Sequence, residues 1–351
     1  MRVVVVGASG NSGTSLLKSL ADDPSVESIL GVARRKPEAD FPKTKWAEAD
    51  IATGELEPLF RGADAVVHLA WLIQPSRDLS RLWRVNVEGS TRVFHAVGQA
   101  GVPALVYASS VGAYSRGPKR EAVDESWPIN GIPTSFYSRH KAEVERRLDC
   151  FEQEWPEVRV VRLRPGLIFK REAASGVRRL FAGPFLVNPL LRPSLILVVP
   201  KIPGLRFQAV HSYDIGEAYR LAVTSDVRGA FNIAAEPVLD AGELGKILGA
   251  RPVPVPAGLA RLLTAATWRL HLQPTPPGWL DLALGVPILD TTRAREELGW
   301  RPSWSAGEAL RDLLEGLSKG EGENTPPLAP GTGGPARIDE ITTGVGEREK
   351  L

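Results

Sequence analysis

Val3-Val4-Val5-Val6-Gly7-Ala8-Ser9-Gly10-Asn11-Ser12-Gly13 follows Met1-Arg2 directly. Four β-branched residues in succession read as a strand buried on both faces. The glycines come at once, spaced G-x-x-G-x-x-G, and Leu16-Leu17 and Leu20 continue at helical spacing. Gly7 permits a tight turn at the strand end, Gly10 lets a pyrophosphate approach the backbone, and Gly13 lets helix and strand pack closely. The helix start presents backbone N–H donors to anionic oxygens, with Ser9 and Asn11 in the same cradle. A glycine motif alone is weak evidence, but between a strand and a helix it marks a dinucleotide site.

The alternation continues outward from this turn. Ile29-Leu30-Gly31-Val32, Ala65-Val66-Val67-His68-Leu69, Ala104-Leu105-Val106-Tyr107-Ala108 and Val158-Arg159-Val160-Val161-Arg162-Leu163 read as further strands, with a third strand expected before Asp50. Residues 76–100 and 141–155 read as helices between them. Repeated βα units imply an α/β fold with a doubly wound parallel sheet, covered on both faces. After Pro165 prolines become frequent, and residues 166–318 are expected to form mainly a smaller α/β lobe on the first unit of 1–165. Within it, 206–210 and Phe231-Asn232-Ile233 read as strands and 214–225 as a helix. From 319 the chain is rich in Gly, Pro and charge, which predicts a disordered tail over 319–351.

Composition excludes several functions. The 351 residues carry 43 Lys+Arg against 41 Asp+Glu, so the net charge of +2 gives no electrostatic case for nucleic acid or an anionic membrane. One cysteine, Cys150, excludes an intrachain disulfide and a cysteine zinc cluster; it reads as a small buried hydrophobe. The five histidines stand far apart, so no metal site is expected. Met1-Arg2 and four valines do not make a signal peptide, and no ordinary spanning helix is apparent. A cytoplasmic protein acting on a small molecule is expected.

The second strand ends Val32-Ala33-Arg34-Arg35-Lys36. A free ribose 2′-hydroxyl usually meets a carboxylate there, and a 2′-phosphate usually meets arginine. Arg34 and Arg35 therefore favour NADP(H) over NAD(H), the alternative being a solvated basic turn. Asp50-Ile51 are expected near the adenine.

Tyr137 and Lys141 stand four apart at a helix start, which puts both on one face. A cation beside a phenol favours phenolate and would lower its ordinary pKa of about 10. Such a tyrosine exchanges a proton with a carbonyl or carbinol oxygen while a hydride moves. Ser109-Ser110 end the strand 104–108, where open α/β sheets bind ligands, and a serine there can hydrogen-bond the substrate oxygen.

With glycine turn, strand-end serine and Tyr–Lys pair in this order, the chain resembles an extended short-chain dehydrogenase/reductase of the NAD-dependent epimerase/dehydratase kind. His68-Leu69-Ala70, Asn86-Val87-Glu88-Gly89, Tyr114, Arg164-Pro165-Gly166, His211-Ser212-Tyr213-Asp214 and Glu297-Leu298-Gly299-Trp300 add to it, over residues 2 to about 317. The resemblance implies a Rossmann-type domain and an NAD(P)-dependent enzyme. It implies Ser110, Tyr137 and Lys141 as catalytic, with Lys141 also holding ribose. Ser109 becomes a cofactor-side neighbour, Leu69 and Ala70 line the nicotinamide half, Asn86 lies near the cofactor and a helix kink, and Pro165 and Gly166 meet the carboxamide end. A homodimer paired through the helices 76–100 and 141–155 would also follow.

The departures bear on substrate. Val111-Gly112 stand where sugar-nucleotide dehydratases of this kind carry Asp-Glu. The stretch 163–169 lacks an Asn that many UDP-sugar epimerases use. Both tilt toward a reductase or dehydrogenase, with an NAD-dependent sugar-nucleotide epimerase and a non-catalytic dinucleotide sensor as alternatives. The apolar, proline-rich run 181–205 reads as lid or packing element, Trp71-Leu72-Ile73-Gln74 as a substrate contact, and Trp268 and Trp279 as lobe core.

Overall fold

In the computed structural model, which describes residues 1–73, 77–181 and 196–331, the valine run forms β1 (Arg2–Val6) at the heart of a seven-stranded sheet. Its partners are β2 (Ser28–Ala33), β3 (Thr44–Glu48), β4 (Ala65–His68), β5 (Ala104–Ala108), β6 (Arg159–Pro165) and β7 (Gly229–Ile233). The order is β7-β6-β5-β4-β1-β2-β3, and every pair is parallel. Phe231-Asn232-Ile233 thus leaves the lobe and closes the main sheet, because Gly229–Ile233 pairs with the buried strand β6.

The period of two along β1 divides the core. Val3 and Val5 pack with Leu16, Leu17 and Leu20 of α1 (Asn11–Asp22) and with Ile215 and Tyr219 of a later helix, Ser212–Thr224. Val4 and Val6 face Phe94 and Val97 of α2 (Gly89–Gln99) and Leu148 and Phe151 of α3 (Phe136–Glu154). Each such fully buried aliphatic or aromatic side chain contributes about 1.5–3 kcal/mol. The Ser212–Thr224 helix, α4, lies tight on α1: a Cβ on Gly216 would come within 2.8 Å of the Ser15 backbone. The seryl oxygens of Ser15 and Ser212 are 2.9 Å apart.

The lobe holds a three-stranded sheet of Leu167–Phe169, Phe207–His211 and Ala235–Leu239, and a strand pair Val198–Lys201 with Arg251–Pro254. Its helices include α5 (Ala257–Arg269), α6 (Gly278–Gly285) and α7 (Ala306–Lys319). A Ser305–Glu308 capping box starts α7, which buries Leu310, Leu313, Leu314 and Leu317 on the three-stranded sheet.

Three expectations are revised. The helix read over 76–100 is interrupted: Leu79–Trp83 is α-helical, Arg84–Glu88 is one π-helical turn, and α2 follows. Ser76, like 182–195, lies outside the described residues. The tail read as disordered from 319 is packed as far as Ala329. Thr325 and Leu328 are buried, the Thr325 hydroxyl donates to the Ser9 carbonyl at 2.8 Å, and Glu323 pairs with Lys18 at 2.8 Å and Lys170 at 3.2 Å. Composition missed this because a few side chains meet partners already built by the fold; 332–351 lie outside the described residues. Cys150 is exposed on α3, not buried.

Candidate active site

The parallel order sets the carboxyl ends of β1, β4, β5 and β6 side by side, so segments far apart in sequence converge there. At the end of β1, Gly7 adopts φ +86, and a Cβ on it would lie 2.6 Å from the Ala70 nitrogen. A Cβ on Gly13 would meet the Ala8 carbonyl at 2.5 Å. These two glycines are required by the protein's own backbone. Gly10 differs: within 4 Å a Cβ there would meet only the Gly7 oxygen at 3.4 Å. No side chain caps α1 and no acidic residue stands in its first turn. The residues fit an anionic dinucleotide, since uncapped helix N–H donors and an open glycine surface are what a pyrophosphate needs. Asn11 holds the lobe by donating to the Ile168 carbonyl at 3.2 Å, and its Oδ1 is buried without a partner. Ser9 is nearly covered, its carbonyl taken by Thr325, a contact for which the sequence carried no signal.

Leu69 and Ala70 follow β4 beside Gly7. Arg34, Arg35 and Lys36 are exposed at the end of β2, and none has an ion pair among the described residues. Glu48, in register with Ala33, accepts the Lys36 N–H at 2.8 Å. Asp50 turns the chain by accepting from the Ala52 nitrogen at 2.9 Å, and Ile51 packs in the core under Gly89. At the end of β6, Pro165 is buried, and a Cβ on Gly166 would strike the Gln208 carbonyl at 2.5 Å.

Ser110, Tyr137 and Lys141 come together beyond β5. Ser110 caps a short turn by accepting the Gly112 N–H at 3.0 Å, and its hydroxyl stands near enough to the Tyr137 phenol to favour the phenolate. A Cβ on Gly112 would lie 2.8 Å from the Tyr137 ring, so this glycine makes room for the phenol. Lys141 Nζ donates to the Ala108 carbonyl at 2.7 Å and sits 3.6 Å from the Trp71 ring centroid. The expected depression of the phenol is not found. Burial pushes Tyr137 up to about 12 against the opposing Ser110 hydroxyl, and Lys141 does not contribute, its ammonium being directed to Ala108 and Trp71. Burial also pushes Lys141 down to about 7, with Glu145 opposing.

Glu145, one turn beyond Lys141, is completely buried and escaped the sequence reading. It accepts from Arg164 at 2.8 and 3.0 Å, from Arg162 at 2.9 Å, and from the Ser109 hydroxyl. Ser109 therefore points into the protein, toward Glu145. Arg164 continues to the Tyr114 hydroxyl at 3.0 Å, and Tyr114 donates to Asn232 at 2.7 Å. The loop 109–114 is thus tied to α3, β6 and β7 by one charged network. The spacing Tyr137, Lys141, Glu145 was the available signal, since residues four apart share a helix face. Asn86 lies in the π-helical turn, and its amide is spent on the Leu72 backbone at 2.7 and 3.0 Å. It secures the loop that carries Trp71 and does not reach outward.

Aromatic rings wall the phenol. The Trp279 centroid is 5.0 Å from that of Tyr137, and Trp71 meets the same ring edge-on at 5.9 Å. Trp279 is packed on the lobe core of Ile132, Leu282 and Val286, as expected, and meets Tyr137 from there. Trp268 also has a polar role: the Arg77 guanidinium lies 4.3 Å from its ring centroid and donates to its carbonyl at 2.5 Å.

A model of the NAD dependent epimerase/dehydratase family matches residues 3–234. An uncharacterized protein of Mycobacterium tuberculosis is 27% identical over 316 residues, covering 89% of this chain and 30% of that protein, so the chain spans under a third of its length. A 3-beta-hydroxysteroid dehydrogenase of Mycolicibacterium neoaurum is 26% identical over 340 residues, 89% of this chain and 90% of that protein. Among solved structures, the Thermotoga maritima UDP-glucose 4-epimerase with UDP-glucose superposes with a TM-score of 0.68 over 91% of this chain and 99% of that one, at 22% identity. The Thermus thermophilus UDP-glucose 4-epimerase complex with NAD gives 0.67 over 90% and 99%, also at 22%. At such identities these two establish the fold.

Proposed function

The chain belongs to the NAD-dependent epimerase/dehydratase family, and on that premise we propose that it is an oxidoreductase moving a hydride between a nicotinamide dinucleotide and a carbonyl or secondary alcohol on a largely apolar small molecule. One observation carries the reading: the Tyr137 phenol stands beside Ser110 and is walled by Trp71 and Trp279. When bound, the dinucleotide supplies or takes the hydride. The glycine turn and the first turn of α1 would hold its pyrophosphate, and Leu69, Ala70, Pro165 and Gly166 would border its nicotinamide half.

In the reductive direction Tyr137 donates its proton to the carbonyl oxygen. Burial keeps that phenol protonated at neutral pH but makes it a weaker acid, so its proton moves only as the hydride arrives and charge builds on the carbonyl oxygen. Ser110 donates a hydrogen bond to the same oxygen and fixes its position. Lys141, whose ammonium is held between the Ala108 carbonyl and the Trp71 ring, would serve the dinucleotide by turning to a ribose hydroxyl. Trp71 and Trp279 exclude water and select apolar substrate surface. That preference, with the stretch 163–169 lacking the epimerase Asn, supports a reductase or dehydrogenase over the sugar-nucleotide epimerase, and Val111-Gly112 after Ser110 speak against a dehydratase. Arg34 and Arg35 support NADP(H), with NAD(H) as the competing cofactor.

The test pairs a fluorescence titration of nucleotide-free protein against NADPH and NADH with a carbonyl-reductase screen of wild type and Tyr137→Phe. The expected result is tighter NADPH binding by both proteins, and turnover lost by about 10²–10⁴-fold in the variant. Full activity in Tyr137→Phe overturns the mechanism. Equal or tighter NADH binding removes Arg34 and Arg35 from the cofactor argument. NAD that cannot be stripped, with UDP-sugar interconversion, replaces this reading with the epimerase.

A further inference from the structure

Helix α5 presents its apolar side outward. Leu259, Leu262, Leu263, Ala266 and Leu270 recur at i, i+3, i+4, i+7 and i+11, the pattern by which a helix covers a core. Yet no residue of α5 is buried, and these four leucines are between 47% and 68% exposed. Leu272 continues the stripe. The strand pair that leads into α5 adds Leu197, Val198 and Val253. Of the eleven exposed large apolar side chains among the described residues, eight lie on these segments. Singly exposed apolar residues need no explanation, but a concentration of this kind marks an interaction surface.

The charge carried by the stripe's own segments is one-sided. The sequence contains no Asp or Glu between Glu172 and Asp214, nor between Glu243 and Asp281. The same stretches contribute Lys201, Arg251, Arg261 and Arg269. Arg261 is held by Asp281 of α6 at 2.8 Å, whereas Lys201, Arg251 and Arg269 are exposed without an ion pair among the described residues. The whole-chain charge of +2 hides this local excess because the carboxylates lie elsewhere.

We propose that α5 and the adjoining strand pair form a docking surface for an anionic lipid bilayer. An outward apolar stripe flanked by arginine and lysine is the composition of a helix that lies in the membrane interface, its leucines among acyl chains and its cations at headgroup level. Among the described residues no helix is long and apolar enough to cross a membrane, so the association is peripheral. A second copy of the chain fits this face less well. Two-fold pairing would set Lys201, Arg251 and Arg269 against their own copies, and the Asp281 carboxylate beside them is already taken by Arg261. The surface adjoins the site: α5 is tied to α6 through Arg261–Asp281, and α6 carries Trp279, which packs on Tyr137. The docking itself does not depend on the reaction assigned to that site.

The experiment is co-sedimentation of the full chain with phosphatidylglycerol–phosphatidylcholine vesicles and with pure phosphatidylcholine vesicles, for wild type and Leu262→Glu/Leu263→Glu. Both leucines are exposed, so circular dichroism and the melting temperature of the variant should match wild type. Wild type is expected to sediment with the anionic vesicles, less at high salt, and the variant to bind more than about tenfold more weakly. Failure of wild type to sediment overturns the proposal, as does equal binding of the variant. A wild-type dimer in gel filtration that ignores vesicles and dissociates in the variant overturns it in favour of a contact between copies.

Discussion

Replacing Glu145 by Gln should destabilise the protein by about 3 kcal/mol at neutral pH, and the size can be worked in two ways. The carboxyl is held at about 2, against an ordinary 4.5, by Arg164, Arg162 and the Ser109 hydroxyl, which together outweigh a burial that acts the other way. At 1.36 kcal/mol per decade of proton affinity, that difference corresponds to about 3 kcal/mol of native-state stabilisation of the charged form. Independently, removing one partner of a buried ion pair costs about 3–5 kcal/mol because the other charge is stranded. Here that charge is Arg164, which would retain only the Tyr114 hydroxyl and the Glu125 carbonyl, whereas Arg162 keeps Asp149 and Glu152. With an unfolding entropy of about 2.1 cal/mol/K per residue, a chain of this length should melt about 4–5 °C lower. The pH dependence supplies the sharper check. A depressed carboxyl contributes its full stability above the unfolded value of 4.5 and loses it as pH falls toward the folded value near 2. The gap between wild type and variant, measured by urea unfolding followed by circular dichroism, should hold from pH 8 to 5 and fall below about half by pH 3. Equal stability at pH 7, or an undiminished gap at pH 3, refutes the claim that this carboxylate anchors the loop 109–114.

Gly112→Ala would drive a methyl group to 2.8 Å from the Tyr137 ring; turnover should fall at least about tenfold, with a stability cost of about 1–3 kcal/mol, while dinucleotide affinity measured by fluorescence stays within about twofold. Ending the chain at Gly320 removes the Glu323 carboxylate from the fully buried Lys170 and the Thr325 hydroxyl from Ser9. Stability should drop by about 2–4 kcal/mol, and the Ser9–Gly10 turn should exchange its amides faster; an unchanged melt would make the 321–331 segment a passive appendage.

Six of the seven sheet strands and the glycine turn were legible from residues 1–165 because they rest on local pattern. A run of β-branched residues, a glycine spacing and a helical period each act over a few neighbours, and parallel pairing follows from their alternation. The Tyr137–Lys141 spacing was legible for the same reason. What those groups face was not. That Lys141 lies over Trp71, that Ser109 turns inward to Glu145, that Trp279 walls the phenol and that Thr325 reaches Ser9 are contacts between residues tens to hundreds of positions apart. Burial and the direction of a charge are set by everything packed around a group, so the shift of the Tyr137 phenol came out opposite to the pairwise expectation. The tail and α5 show the same limit from both sides: a polar, glycine-rich segment became ordered because buried partners awaited it, and a helix with the pattern of a core element was left exposed because no core reached it. Sequence by itself determined which units form and in what order; only the tertiary structure decided which of their side chains meet, since that depends on the sheet order that brings distant strand ends together.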